Sequence, residues 1–123
     1  MERFVHLLSK EARRRLIEII IEKRGTREAS SVLGVTPASI SKYRYAEMHP
    51  SDSTLMRALE AMDEEELREA ARTVFEDLYS GFLEFAEWAG QRGVLEREMA
   101  ERLSALSSKI SGSLPKRSRI TIV

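Results

Sequence analysis

One glycine-centred stretch in the first half of the chain constrains the fold more than any other feature. Residues 25–45 read GTREASSVLGVTPASISKYRY. Gly34 can adopt the left-handed backbone that ends a helix, and Thr36 followed by Pro37 is a typical N-cap followed by a first helical residue. The stretch therefore predicts two short helices joined by a tight turn, and we call it the helix-turn-helix segment.

The second predicted helix of this segment has two chemically different faces. At 100° per residue, Ile40 and Tyr43 fall on one side and are expected to point into the core. The opposite face is small, hydroxylated and basic, so it could lie in a DNA major groove without steric conflict. The residues on that face, which we expect to contact base edges, are Ala38, Ser41, Lys42 and Tyr45.

The segment resembles the helix-turn-helix of DNA-binding regulators of the Cro/repressor (Xre-like) class, in which the second helix reads DNA. The positions that match the pattern of that class are Ala29, Leu33, Gly34, Val35, Ile40 and Tyr43. Ser30 stands where the class usually has alanine. The resemblance covers roughly residues 9–75. The alternative is an ordinary helical hairpin within a bundle, because many proteins place a glycine turn between amphipathic helices.

Apolar residues recur at helical spacing through most of the chain. Ser9 is the expected N-cap of a first helix that ends at Arg24, and Ser51 or Asp52 is expected to open another helix after Pro50. We predict an all-α fold, in which a repressor-like helix-turn-helix bundle of four to five helices is followed by a long helix and a C-terminal partner helix.

A capping box, Asp63 with Glu66 three residues later, opens the long helix, which is expected to end at Ala89 or Gly90. The final helix follows after a glycine-containing turn, so the two helices are expected to form a hairpin. The predicted organisation is a DNA-binding domain over residues 1–62, a helical hairpin over 63–111 and a basic tail over 112–123.

The long helix has a wide apolar face, and one strip of it needs a partner. We expect a homodimer, because a single helix-turn-helix usually buries too little DNA surface for useful specificity. The expected dimerisation residues are Leu78, Phe82, Phe85, Leu103 and Leu106. The alternative is a monomer in which the last helix folds back and covers both strips.

Charge is segregated along a chain whose formal net charge is zero. Residues 1–50 contain ten Lys/Arg and six Asp/Glu, residues 51–111 contain seven and fourteen, and residues 112–123 contain three and none. Attraction to phosphate depends on such local patches rather than on the sum. The residues expected to contact phosphate are Thr26, Arg27, Thr36, Ser39 and Arg44, with Arg13 and Arg14 on the first helix. For the last two, ion pairs with Glu11 and Glu18 are an equally good interpretation.

The basic tail offers further DNA contacts through Lys116, Arg117 and Arg119, as the basic arms of some regulators do. Its apolar, β-prone ending, residues 120–123, could dock as a strand or lead into another domain.

Composition argues against several other functions. The chain has no cysteine, its two histidines are far apart, and it has no glycine-rich phosphate loop, so we expect no metal site, no cofactor and no enzymatic activity. No small-molecule ligand is inferred. We expect a cytoplasmic protein without a membrane partner, because no apolar run reaches membrane-spanning length and the N-terminus lacks the order of a signal peptide.

The absence of asparagine, with a single glutamine and 33% charged residues, is typical of proteins from very hot environments. It also removes the bidentate amide contact to adenine, so base reading would depend on hydroxyls, Lys42, tyrosine or apolar contacts.

The sequence therefore predicts a sequence-specific DNA-binding transcriptional regulator that acts as a dimer. Two alternatives stay open. One is the DNA-binding accessory part of a recombination or partition system, and the other is a helical protein-interaction bundle in which the motif is incidental.

Overall fold

The computed structural model describes residues 3–115, and within this range the chain consists of helices and the turns that join them. A short 3-10 helix, Arg3–Leu7, precedes five α-helices. They are α1, Lys10–Leu33; α2, Pro37–Arg44; α3, Asp52–Ala61; α4, Glu64–Gln91; and α5, Arg97–Gly112. Since the described residues contain no β-strand, the all-α prediction is confirmed.

The helices begin where capping chemistry predicts. The hydroxyls of Ser9, Thr36 and Ser51 each accept a hydrogen bond from the amide three residues later, at 3.1, 3.1 and 3.2 Å. The capping box before α4 is reciprocal, because the Asp63 carboxylate accepts from the Glu66 amide at 2.8 Å and the Glu66 carboxylate accepts from the Asp63 amide at 2.9 Å. These contacts satisfy amides that the first turn of a helix would otherwise leave without partners.

The first helix and the helix-turn-helix segment are joined without a loop. The sequence predicts separate helices on either side of residue 25, and the non-helical backbone of Gly25, with φ 84° and ψ 166°, divides α1 into two helices that meet there. Glycine reaches this conformation without the steric cost of a Cβ atom. The part of α1 after Gly25 and the following α2 make up the helix-turn-helix segment.

The chain forms two compact units, residues 1–83 and 84–123, and the boundary between them lies inside α4. The core of the first unit is built from α1, α2 and α3. Its largest fully buried side chains are Leu16, Ile17, Ile20, Leu33, Ile40, Leu55 and Val5.

The first half of α4 is tied to α1 by ion pairs. Arg15 pairs with Glu69, and Arg24 pairs with the buried Glu66 at 2.7 Å. The sequence predicts a new domain from residue 63, and these ion pairs join the start of α4 to α1.

The second unit has almost no core of its own. Ala89 is its only buried residue among those described, and no residue of α5 is buried. Gly93, with φ 69°, makes the turn between the two helices. Among the described residues, none of the helices has the length and apolar character needed to cross a membrane.

Candidate nucleic-acid interface

The turn of the helix-turn-helix segment is closed by hydrogen bonds around Gly34. This residue has φ 70° and ψ 32°, and its amide donates to the carbonyl oxygens of Ser30 and Ser31. The Val35 amide donates to the Ser30 carbonyl at 3.1 Å, and the Ser30 hydroxyl donates to the Val35 carbonyl. Ser30 therefore fastens the turn through both its backbone and its side chain, whereas alanine could supply only the backbone contact.

Arg57 of α3 lies over the same turn. Its Nη1 donates to the Leu33 carbonyl at 3.4 Å, and this oxygen is one of those that the last turn of a helix leaves without a helical partner. A Cβ atom at Gly34 would collide with the Arg57 guanidinium. The turn needs glycine for its left-handed backbone, whereas the Arg57 guanidinium, as the far end of a flexible side chain, can move aside.

One face of α2 is anchored in the core and the other is open to solvent. Ile40 is fully buried and Tyr43 is 5% exposed, so the predicted inward face of α2 is confirmed. Tyr45, directly after the helix, is 72% exposed. All four predicted base-reading residues occupy exposed positions: Ala38, Ser41, Lys42 and Tyr45.

Hydrogen bonds define both ends of α2. At its start, the hydroxyl of Thr36, which caps the helix, also donates to the Ser39 hydroxyl at 3.2 Å. At its end, Ala46 takes a left-handed conformation with φ 60°, and the Glu47 amide donates to the Lys42 carbonyl at 2.9 Å. A left-handed alanine costs about 1–2 kcal/mol, a cost that the surrounding hydrogen bonds offset.

The basic residues of the helix-turn-helix segment are exposed, and none of them forms an ion pair with another described residue. They are Arg27, Lys42 and Arg44. Thr26 is exposed beside Arg27. Because an unpaired guanidinium or ammonium group keeps its donors available, these side chains can each bind a phosphate oxygen.

Arg13 holds the fold together instead of facing solvent. Its side chain is only 14% exposed, and it pairs with Asp52 at 2.9 Å. It also donates to the carbonyl oxygens of Val5, Leu8 and Pro50, at 2.9, 3.3 and 3.2 Å. The Arg13 contacts lower the pKa of Asp52 below its usual range, and His6 adds to this effect.

Arg14 makes the ion pairs that were the alternative to a phosphate contact. It lies 3.1 Å from the Glu11 carboxylate and 3.2 Å from that of Glu18. The hydrogen bond that Arg14 donates to the Glu11 carboxylate is the main cause of the raised pKa of Arg14. A phosphate would have to compete with both carboxylates for this guanidinium.

The predicted dimerisation residues are divided between the two units. Leu78 and Phe82 belong to the first unit, whereas Phe85, Leu103 and Leu106 belong to the second. Their side chains are exposed by fractions from 37% at Leu78 to 50% at Leu106. The predicted tail contacts, Lys116, Arg117 and Arg119, and the apolar ending at 120–123 lie outside the described residues.

Two features of this candidate interface could not be predicted from helix periodicity or capping patterns. The Ser30 hydroxyl bond could be suspected only because serine stands at a position where the resembled class has alanine. Nothing in the sequence indicates the left-handed backbone of Ala46, since alanine rarely adopts a positive φ.

No group of three or more histidine, cysteine, aspartate or glutamate side chains in residues 3–115 is arranged to hold a metal ion. The chain matches no protein family, and comparisons with curated proteins and with solved structures give no match either.

Proposed function

We propose that the protein is a sequence-specific DNA-binding transcriptional regulator of the cytoplasm, which binds double-stranded DNA as a homodimer with α2 in the major groove. The observation that carries this proposal is the division of α2 into two faces. Ile40 and Tyr43 anchor the helix in the core, and the opposite face is entirely exposed.

The dimensions of α2 suit a groove-reading helix. Its eight residues span about 12 Å at a rise of 1.5 Å per residue, and the major groove of B-DNA is about 12 Å wide. The helix carries no acidic side chain that would oppose the phosphates.

The exposed side chains can read bases without an asparagine. The Lys42 ammonium can donate to guanine O6 and N7, the Ser41 hydroxyl can donate or accept, and the Ala38 methyl group can contact the methyl group of thymine. Tyr45 adds a hydroxyl and an aromatic surface at the end of the helix.

The phosphate contacts proposed here come from the helix-turn-helix segment itself. Arg27 and Arg44 supply unpaired charges, with Thr26 beside the first of them. Thr36 and Ser39 lie at the start of α2, where the amide groups and the helix dipole favour an anion. Arg13 and Arg14 are left out of the proposed contacts because other groups of the chain already bind their guanidinium groups.

Fluorescence anisotropy with labelled duplexes tests the proposal. The duplexes should tile the upstream region of the gene, together with an unrelated duplex of the same length. We expect binding to prefer one sequence and to weaken steeply with salt. Lys42→Glu or Ser41→Glu should lower the affinity at least tenfold, since each removes a base contact and places a negative charge in the groove.

Lys10→Glu is the matched control for Lys42→Glu. It makes the same charge change at an exposed residue at the start of α1, so the affinity should stay within about threefold of wild type. Equal losses in Lys10→Glu and Lys42→Glu would contradict a specific role of α2. Binding without sequence preference would favour an accessory role in recombination or partition, and no binding at low salt would favour a protein-interaction bundle.

A further inference from the structure

The apolar face of α5 is exposed in the single chain. Met99, Leu103, Leu106 and Ile110 lie on one side of the helix, and their exposed fractions range from 37% to 50%. An isolated helix of 16 residues is marginally stable in water, because helices in proteins gain most of their stability from packing an apolar face. The α5 face therefore needs a surface to cover it.

The exposed apolar stripes of α4 and α5 share an 11-residue spacing. In α4 this spacing separates Leu67 from Leu78, and in α5 it separates Met99 from Ile110. Eleven residues make three turns of 3.67 residues, so such a stripe stays on one side of an almost straight helix. Two stripes with the same period can remain in contact along their whole length.

The stripe of α4 leads into an apolar groove on the first unit. The groove has a volume of about 600 Å³, and its walls come from the 3-10 helix, α3 and α4. The side chains that line it include Phe4, Met56, Leu59, Leu67, Val74 and Leu78. Leu67 and Leu78 belong to both the stripe and the groove, so one apolar surface runs from the second half of α4 to α3.

Charge distinguishes between the surfaces that could cover this stripe. From residue 76 to its end, α4 carries four acidic and no basic residues, a net charge of −4, whereas Glu66 and Glu69 near its start are already paired with arginines of α1. The α5 helix carries three basic and two acidic residues, a net charge of +1. Two α4 helices placed side by side would repel each other, whereas α5 against α4 brings opposite charges together.

We infer that α5 of one chain packs along the apolar stripe of α4 in a second copy, with one end of α5 in the groove beside α3. By two-fold symmetry the contact occurs twice, and α4 and α5 of both copies form a four-helix bundle. The part of α4 from Leu67 to Leu83 is about 24 Å long, and α5 is also about 24 Å long, so α4 can accommodate the whole of α5.

This inference rests on the proposed function, because it states how the two chains of the proposed dimer contact each other. It also connects the dimer contact to the helices that would bind DNA. Because the groove is part of the first unit, a docked α5 would contact Met56 and Leu59 of α3, the helix whose Arg57 closes the helix-turn-helix turn.

Light scattering on the full chain is the first test. The wild type should have a mass of about 28 kDa, twice the 14.0 kDa of one chain. Leu78→Glu and Leu106→Glu should each weaken the dimer at least 100-fold, because each places a charge in the apolar contact. Ser80→Glu and Ser108→Glu add the same charge two residues further along each helix, on the side away from the stripe, and should remain dimeric.

Mixing two variants tests which stripe meets which. If α5 packs on α4 of the second copy, a Leu78→Glu chain mixed with a Leu106→Lys chain should form a heterodimer, since one contact then joins the two opposite charges and the other is native. If α4 pairs with α4 and α5 with α5, each contact of a heterodimer places one charged side chain against a leucine. The mixture should then stay monomeric, and that result would overturn the inference.

Circular dichroism of each variant separates lost association from lost folding. Should Leu78→Glu lose helicity, Leu67→Glu, at the exposed far end of the same stripe, replaces it. A monomeric wild type would overturn the inference even if it binds DNA. Conversely, a dimer that behaves as expected but binds no duplex would overturn the proposed function alone.

Discussion

Gly34 sets the geometry of the turn through its left-handed backbone. Its φ of 70° is accessible to glycine without strain, and the Arg57 guanidinium lies where a Cβ atom would be. Ser30 holds the other side of the turn through its hydroxyl. The path of the chain into α2, and therefore the direction of the exposed face of α2, depends on these few atoms.

We expect Gly34→Ala to lower the free energy of unfolding by about 1–2 kcal/mol, the cost of a left-handed alanine, with an additional loss from the displacement of Arg57. Urea unfolding measures this change. The additional loss should disappear when Arg57→Ala is combined with Gly34→Ala, because the collision is then removed.

Gly81→Ala is the control, since Gly81 lies inside α4 and a Cβ atom there meets open space. It should raise the free energy of unfolding by up to about 1 kcal/mol, the usual advantage of alanine over glycine in a helix. A stable Gly34→Ala protein would show that the turn does not require glycine.

At the scale of elements, salt bridges fix the position of α4 against α1. Lys23 contacts the Asp63 carboxylate at 2.5 Å, one residue before Arg24 contacts Glu66. Arg24 also donates to the Ala61 carbonyl at 2.7 Å, next to the kink at Gly25. The point where α1 bends is therefore joined to the point where α3 ends and α4 begins.

This junction should make the stability depend on pH in the acid range. The hydrogen bond from Lys23 is the main cause that lowers the pKa of Asp63 below its ordinary value of 3.8. A carboxylate with a lowered pKa in the folded state stabilises the protein fully above its unfolded pKa, and this stabilisation is lost as the pH falls through the folded pKa. Asp52 follows the same rule through Arg13.

We expect thermal unfolding between pH 6 and pH 2 to show a falling melting temperature below about pH 4. Asp63→Asn and Asp52→Asn should lower the melting temperature at neutral pH and reduce its dependence on pH. Glu101→Gln on α5, whose carboxylate forms no ion pair with another described residue, is the control and should leave the pH dependence unchanged. If the melting temperature depended on pH equally in Asp63→Asn and the wild type, this role of the Asp63 carboxylate would be contradicted.

At the scale of the whole molecule, the arginines predicted to contact phosphate fall into two groups. Arg13 and Arg14 are engaged in contacts within the chain, whereas Arg27 and Arg44 of the helix-turn-helix segment have no carboxylate partner among the described residues. A formal net charge of zero is compatible with the proposed DNA binding, because attraction to phosphate depends on local charge and Arg27, Lys42 and Arg44 place three positive charges on the helix-turn-helix segment.

The salt dependence of DNA affinity should distinguish the two groups. Each phosphate contact contributes a slope of about −0.9 to the plot of log K against log salt. In a dimer, Arg44→Ala removes two such contacts, so the slope should become less steep by about 2. Arg14→Ala should leave the slope unchanged. A less steep slope for Arg14→Ala would instead mean that Arg14 contacts a phosphate.

The elements of the fold could be predicted from local sequence. Ser9, Thr36, Ser51 and the capping box at Asp63 mark helix starts because capping involves residues only three positions apart. The burial of Ile40 and Tyr43 follows from helical periodicity in the same way. The division of Lys10–Leu33 into two helices at Gly25 could be predicted in the same way, because glycine accepts the non-helical backbone found there.

The sequence by itself determined the helices, the glycine turn and the face of α2 that is open to solvent, since these depend on neighbouring residues. Only the tertiary structure decided what Arg13, Arg14 and Arg15 bind and which unit contains the first half of α4. Arg15 pairs with Glu69, 54 positions away, and Arg13 donates to the Pro50 carbonyl, 37 positions away. Such partners meet because packed helices bring distant residues together, and no local spacing encodes that meeting.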